Sequence, residues 1–509
     1  MKRAKKAAGA VATVTVFGVF TRIIGFLFKI YLSRALGAEA LGLYQIALSV
    51  FFLFASLTSS GIPMILSRKT AEELALGGNK TFSLFTTALL LCGTAAITEA
   101  GILILLGDKL TFLFSDEAAH PVFLIMIPAL VSTAVYCVVR GWLWGSKNFV
   151  AFSATETVEE ALRILFSVFL LSGVFGSLSG VDAIAWAFTI TDILVAILLF
   201  VLFFAKGGKI EKPSDLRKIL LPSLPITAMR ISASLIGTLI AFLLPLRLIT
   251  FGMSGAEATA SYGRIAGMAN PLLNAPNAAI GSLCIVLIPE LSASRVKNDY
   301  DRLNKHISLG IRFSFLVSGL FIVLYSSLGK EITTLLYSDS ISGEYMQVAT
   351  FCMLPTCLSQ LTQSALNSIG KEYNAFVNYL VGNLFMLSVI YILPKLIGIY
   401  SVAAATFLCT LVISVLNLVS LHKATKIGSD FLKYALLVLL FTIPCHFLCE
   451  WTCSLLTPFL DKFAFLPAAF IGLCAYAALC VIANVLDIRG ILLSRFRSLP
   501  RKKTKKSAA

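Results

Sequence analysis

The chain has 509 residues, of which 58% are hydrophobic and only 13% charged, with a net charge of +16 and a mean hydropathy of +0.89. A soluble chain carries about a quarter charged residues, so a water-soluble globule is excluded. The basic excess does not indicate nucleic acid: Lys and Arg fall in short segments between apolar runs, with no basic domain and no interleaved aromatics.

Long apolar runs recur along the chain, as at 84–106, 183–205 and 313–328. Each is long enough to cross ~30 Å of hydrocarbon as a helix, and barrel-type alternation is absent. The expected class is therefore an all-α polytopic membrane protein with about fourteen transmembrane helices. The spans are predicted at 8–36, 41–67, 82–106, 120–145, 150–176, 181–205 and 217–249, then 261–291, 306–329, 345–369, 373–396, 400–422, 431–455 and 463–487. Met1–Lys6 and the run after it superficially resemble a signal peptide, but Arg22 and Lys29 interrupt the run and no clean small-residue cleavage site follows. It is read as the first span.

The first span carries Arg22 near its middle and Lys29 seven residues on. That is two turns, about 10 Å along one face. A charge inside the bilayer costs ~2.5 kcal/mol or more, so it faces a cavity or a partner. Arg230 holds the matching place in span seven, and Arg264 lies just inside span eight. Together the four would line a cationic groove on facing lobes, suited to phosphate or pyrophosphate; otherwise each pairs with a carboxylate or a helix-end carbonyl.

Span five carries Glu156, Glu159, Glu160 and Arg163, and span six carries Asp182 and Asp192. Arg163, Asp192 and Glu159 read either as a structural intramembrane ion pair or as a coupling site for a proton or cation. The eleven Cys are scattered through apolar spans and imply no disulfide framework. Cys445, Cys449 and Cys453 recur every fourth residue beside His446 and Glu450. One helical stripe rarely encloses a metal, so it reads as a lipid- or helix-facing stripe, with no metal and no cofactor expected.

Basic residues mark one face of the membrane: Lys2, Arg3, Lys5 and Lys6, then Arg68, Lys69, Arg140, Lys147, Lys206, Lys209 and Lys212, and later Arg295, Lys371, Lys423 and the tail after 487. The other face has Arg34, Lys109, Arg247, Arg264, Lys330, Lys395 and Lys462. The bias places both termini in the cytoplasm, and the basic tail at 488–509 would lie along anionic membrane lipids or be simply solvated. Gly37–Ala47 (GAEALGLYQIA) and Gly255–Ala266 (GAEATASYGRIA) form an imperfect internal repeat. Parallel repeats then divide the chain into an N-lobe at 1–205, a C-lobe at 206–424, two extra spans at 425–487 and the tail at 488–509.

No GxxxxGK[ST] loop, GxSxG or HExxH motif occurs, and the hydrophilic loops are too short for a soluble catalytic domain, so an enzyme is not expected. Three sets of motifs carry a family resemblance. They are Thr21–Lys29 followed by Ser33–Tyr44; Gly61-Ile-Pro63 and Arg140-Gly-Trp-Leu-Trp-Gly145; and Tyr262–Gly267 with Leu287-Ile-Pro-Glu-Leu291. The chain resembles stage V sporulation protein B-like polysaccharide transporters of the multidrug/oligosaccharidyl-lipid/polysaccharide (MOP) flippase superfamily, which also includes lipid II flippases.

The resemblance implies alternating access between two lobes of six helices, with a cationic cavity taking a polyprenyl-pyrophosphate glycan at a bacterial plasma membrane. It implies a lipid-linked glycan substrate, with cell-wall synthesis enzymes as an open partner class, and it matches Arg22 and Arg264 to cavity arginines. Span two lacks a buried Arg and span seven lacks the acid that serves sodium in some relatives, so the resemblance does not carry over sodium coupling, and the drive is expected from the membrane potential or an ion gradient. The alternatives are a multidrug or cation antiporter of the same fold, disfavoured because Arg22 and Lys29 would repel a cation, and a membrane-embedded glycan polymerase, ligase or scaffold.

Overall fold

A computed structural model of the chain describes residues 2–78, 80–172, 178, 180–426, 428 and 431–485, with backbone alone for 2–16 and Val286. The predicted tail at 488–509 lies outside the described residues, as do the side chains of Lys2, Arg3, Lys5 and Lys6. Among the described residues every regular element is a helix. In order these are α1 (Lys2–Ser59), α2 (Gly61–Ala75), α3 (Thr81–Leu106), α4 (Ala119–Gly145), α5 (Phe149–Leu171) and α6 (Gly180–Ala205). Next come α7 (Arg217–Thr250), α8 (Gly255–Gly263), α9 (Asn270–Leu273), α10 (Ala275–Val296), α11 (Tyr300–Tyr337) and α12 (Ile341–Ala349). The series closes with α13 (Met353–Ser368), α14 (Glu372–Ile392), α15 (Pro394–Ile397), α16 (Ser401–Thr425), α17 (Phe431–Leu460) and α18 (Phe465–Ile482).

Among the described residues, ten helices are long and apolar enough to cross a membrane, or eleven if the bent pair Ala275–Ile285 and Leu287–Val296 counts as one span. The expected fourteen is not reached by that measure: the predicted span at 345–369 is divided between α12, of 9 residues, and α13, of 16, each too short to cross alone. Two further reasons are physical. One continuous stretch, Phe17–Ala75, takes in most of the first predicted span and all of the second. At 59 residues it would extend almost 90 Å if straight, so it must fold back. It does so at Gly37, whose φ of +76° and ψ of 179° suit a residue without Cβ. The second reason is charge: α5 carries three acids and an arginine within a single 23-residue helix.

The chain divides into two compact units. The first comprises Met1–Pro271, Leu336–Ser338 and Leu387–Val402; the second comprises Leu272–Leu335, Asp339–Met386 and the described residues from Ala403. The first unit runs past residue 205 because α7 and α8 pack on α1. Thr238 on α7 donates to the Ser49 carbonyl at 2.9 Å. Its core is aromatic: Phe85 stacks on Phe203 at 3.9 Å between centroids, and Trp142 meets Phe203 edge-on at 4.9 Å.

The two repeat copies meet inside this unit. α8 begins at an N-cap, in which the Ser254 hydroxyl accepts from the Glu257 N–H at 3.3 Å. It then crosses α1 with backbone against backbone. A Cβ on Gly263 would lie 2.0 Å from the Ala38 carbonyl oxygen, and one on Gly42 would lie 2.1 Å from that of Thr259. Small residues permit this approach in a medium where apolar side chains gain nothing by leaving lipid for protein.

In the second unit, side-chain amides supply the equivalent adhesion. Asn378 on α14 donates to Asn417 on α16 at 2.9 Å, and Asn417 donates to Thr362 on α13 at 3.2 Å. The Cys stripe of α17 faces a helix: the Cys449 thiol donates to the Ala468 carbonyl of α18 at 3.6 Å, over Gly472. Among the described residues no group of three or more His, Cys, Asp or Glu could hold a metal ion.

Candidate functional site

The limb of α1 that carries Arg22 and Lys29 packs on α5. The hydroxyls of Thr21 and Thr157 share a hydrogen bond of 2.8 Å. One turn on, Gly25 leaves room for Glu160, whose Oε1 sits 2.9 Å from where a Cβ would be. Thr21 and Gly25 are turned to α5; Arg22 and Lys29, about 60° and 40° around the helix from Gly25, are exposed residues beside that contact. Arg22 makes no hydrogen bond or ion pair among the described residues, and its apolar sequence neighbours Val19, Phe20 and Ile23 are exposed too. Lys29 lies in the field of the Glu160 carboxylate.

Arg230, on α7, is likewise exposed and has no hydrogen bond or ion pair among the described residues. It lies within electrostatic range of Cys137 on α4. Arg264 is half-buried and opens a π-helical turn, Arg264–Ala269, that follows α8 directly. Such turns recur at functional positions because the extra residue redirects side chains without ending the helix. All four sequence-derived cations thus belong to the first unit, Arg230 and Arg264 included.

Between α4, α5 and α6 the structure assembles a charged network. Arg163 contacts Glu159 at 2.7 Å, Glu160 at 3.3 Å and Asp192 at 3.4 Å. Asp192 also accepts from the Thr133 hydroxyl at 2.9 Å. The Arg163 guanidinium lies 5.1 Å from the Phe188 ring centroid. Arg163, Glu159, Glu160 and Asp192 retain 18%, 16%, 17% and 11% side-chain exposure. The three residues singled out from the sequence, Arg163, Asp192 and Glu159, are therefore in mutual reach.

Sequence reasoning missed Arg140, which it counted among the cytoplasmic-loop cations. Arg140 instead turns back from the end of α4 to pair with Glu156, to donate to the Tyr136 hydroxyl and to lie 4.0 Å from Glu159. Its guanidinium lies over the Phe152 ring at 4.4 Å. The available signal was the tight turn from α4 to α5, which brings Arg140 and Glu156 together across 16 residues. Two guanidiniums thereby engage four carboxylates, Glu156, Glu159, Glu160 and Asp192, with Lys29 beside Glu160.

With this geometry in view, comparisons with known proteins become informative. The family described as "Polysaccharide biosynthesis protein" matches residues 8–295. "Stage V sporulation protein B" of Bacillus subtilis (strain 168) is 25% identical over 444 residues, covering 82% of this chain and 84% of the relative. "Sporulation protein YkvU" of the same organism is 22% identical over 434 residues, covering 81% and 93%. Among solved structures, "Lipid II flippase MurJ, inward closed conformation" aligns with a TM-score of 0.72 at 15% identity, over 94% of this chain and 99% of that one. A multidrug resistance MATE family transporter of the MOP superfamily aligns with a TM-score of 0.67 at 15% identity, over 83% and 99%. At these identities the solved structures establish the fold, which is that of multi-span membrane transporters.

Proposed function

Because this chain belongs to the polysaccharide biosynthesis protein family, we propose that it is a flippase for a lipid-linked glycan, working by alternating access at a bacterial plasma membrane. The substrate is a polyprenyl-pyrophosphate oligosaccharide or a peptidoglycan precursor such as lipid II. Arg22 and Lys29 meet its pyrophosphate, assisted by Arg230 and Arg264. The observation that carries this reading is Arg22: an exposed cation in an apolar helix whose neighbours Val19, Phe20 and Ile23 are also exposed, with no ion-pair partner among the described residues. Such a surface suits a ligand that is anionic at one end and hydrocarbon at the other.

The disposition of acids favours an anionic substrate over a cationic drug. Glu156, Glu159, Glu160 and Asp192 are engaged by Arg140 and Arg163, whereas Arg22 and Arg230 are not engaged by any acid among the described residues. With both termini cytoplasmic, export moves negative charge out of an inside-negative cell. Each charge then gains about 2.3 kcal/mol per 100 mV, so the membrane potential suffices as a driving force. Cell-wall synthesis enzymes, and anionic lipids along the basic tail, are the partners this role implies.

The test reconstitutes the full chain in vesicles with a lipid-linked pyrophosphoryl disaccharide and measures its appearance in the opposite leaflet. Complementation of a lipid II flippase depletion strain runs in parallel. Loss of a charge-assisted contact lowers flipping by about tenfold or more in Arg22→Ala and in Lys29→Ala. Equal flipping and equal rescue by the parent and both variants would discard this site, and absence of flipping by the parent would discard the substrate class.

A further inference from the structure

A groove on the first unit, outside the charged network, has the chemistry of a phospholipid site. It is an open groove of about 380 Å³ between α5 and α6, lined by Val150, Ala151, Ala154, Val158 and Leu202, with Asn148 and Lys206 at one end. Ala151, Ala154, Thr155 and Val158 share one stripe of α5, at the spacing that puts residues on a single helical face. From Asn148 to Val158 that stripe descends about 15 Å, the depth of one leaflet of hydrocarbon.

The end that holds Lys206 lies at headgroup level. Lys147 precedes Asn148 and is exposed, Lys206 follows the end of α6 and is exposed, and neither makes an ion pair among the described residues. Trp144, exposed at 45%, packs edge-on against Phe149 and Phe152 at 5.2 and 4.7 Å beside them. Amphipathic aromatics and free lysines together mark a membrane–water interface. Below them the lining is apolar and offers only Thr155, whose hydroxyl already donates to the Phe152 carbonyl at 2.7 Å.

The geometry points to a resident anionic phospholipid, one acyl chain in the groove and its phosphate on Lys206 and Lys147. In a bilayer any neighbouring chain can fill such a groove; the two lysines select the charge of the headgroup. A membrane phospholipid is the occupant, and the substrate's own lipid is not, because of where the groove lies on α5. Val158 and Glu160 differ by two residues, which places them about 160° apart around the helix. The groove is therefore on the far side of α5 from Gly25, Lys29 and the proposed pyrophosphate contact.

The full chain is purified in mixed micelles containing equal phosphatidylglycerol and phosphatidylcholine of identical acyl chains, and the retained lipids are counted by native mass spectrometry. The parent retains phosphatidylglycerol in preference. Lys206→Gln, an exposed change that leaves the core intact, lowers that preference by about fivefold. Ala154→Trp fills the groove and displaces both lipids, with a thermal scan confirming that the variant folds. Equal retention of the two lipids by the parent, an unchanged preference in Lys206→Gln, or full retention in a folded Ala154→Trp variant would each overturn the proposal. The outcome is independent of glycan flipping, which uses the opposite side of α5.

Discussion

Substituting Gly263 by Ala tests whether the crossing of the two repeat copies holds the first unit together. The new Cβ would stand 2.0 Å from the Ala38 carbonyl oxygen, 2.7 Å from the Gly42 nitrogen and 3.0 Å from the Gly42 Cα. Ordinary contacts begin near 3.4 Å, so α8 must withdraw from α1 by more than an ångström. All three obstructing atoms are backbone, and no rotamer change can relieve the clash. A gap of that size forfeits well over half of each dispersion contact along the interface. Overpacking of this kind costs about 3 kcal/mol, the upper end of the usual range. Spread over the roughly 290 residues of the unit at ~2.1 cal/mol/K each, that lowers Tm by about 5 °C.

The assay is a thermal unfolding scan of the purified chain in detergent, with Gly101→Ala as the control. Gly101, on α3, has nothing within 4 Å of its Cβ position, so alanine there raises helix propensity and leaves Tm unchanged or slightly higher. Gly42→Ala meets the Thr259 carbonyl at 2.1 Å and should cost as much as Gly263→Ala. The pair together should cost less than the sum, because separating the helices once serves both. A Gly263→Ala variant within 1 °C of the parent, or a Gly101→Ala variant equally destabilised, would refute the reasoning.

Further outcomes follow from other contacts. Arg163→Gln leaves Glu160 and Asp192 without a guanidinium and Glu159 with Arg140 alone, at 4.0 Å, and the loss is about 3–5 kcal/mol in an equilibrium unfolding measurement. Asp192→Asn costs less than half of that, since Arg163 keeps two carboxylates; equal losses in the two variants would contradict the network as drawn. In the second unit, Asn417→Ala removes hydrogen bonds to Asn378 and Thr362 and lowers stability by about 1–2 kcal/mol. Gly472→Ala places a Cβ 1.9 Å from the Cys449 sulfur, so it destabilises α17 against α18, and Cys449→Ala restores the loss when added. A double variant as unstable as Gly472→Ala alone would show that the two helices do not meet there.

Much of the architecture was legible because membrane helices answer mainly to composition. Long apolar runs, the turn at Gly37 and the repeated GAEA segments are local features, and lipid imposes a helix on each such run regardless of what it packs against. The exposed cations of the first span could be noticed the same way, since a charge inside an apolar run stands out without any knowledge of its neighbours. Glu159 with Arg163 was visible as an i,i+4 pair.

What required tertiary structure was partnership between helices. Nothing local told Arg140 apart from a loop lysine until α5 folded back beside α4 and presented Glu156. Nothing local placed Arg230 and Arg264 in the same compact unit as Arg22, because α8 packs on α1 where Gly42 and Gly263 meet across more than 200 residues, and α7 packs on α1 through Thr238 and Ser49, almost as far apart. Hydropathy is a property of single residues and their near neighbours, and it determined that this chain lives in a membrane as helices. Which charges are neutralised and which are left exposed is a property of pairs distant in sequence, and only packing decides it.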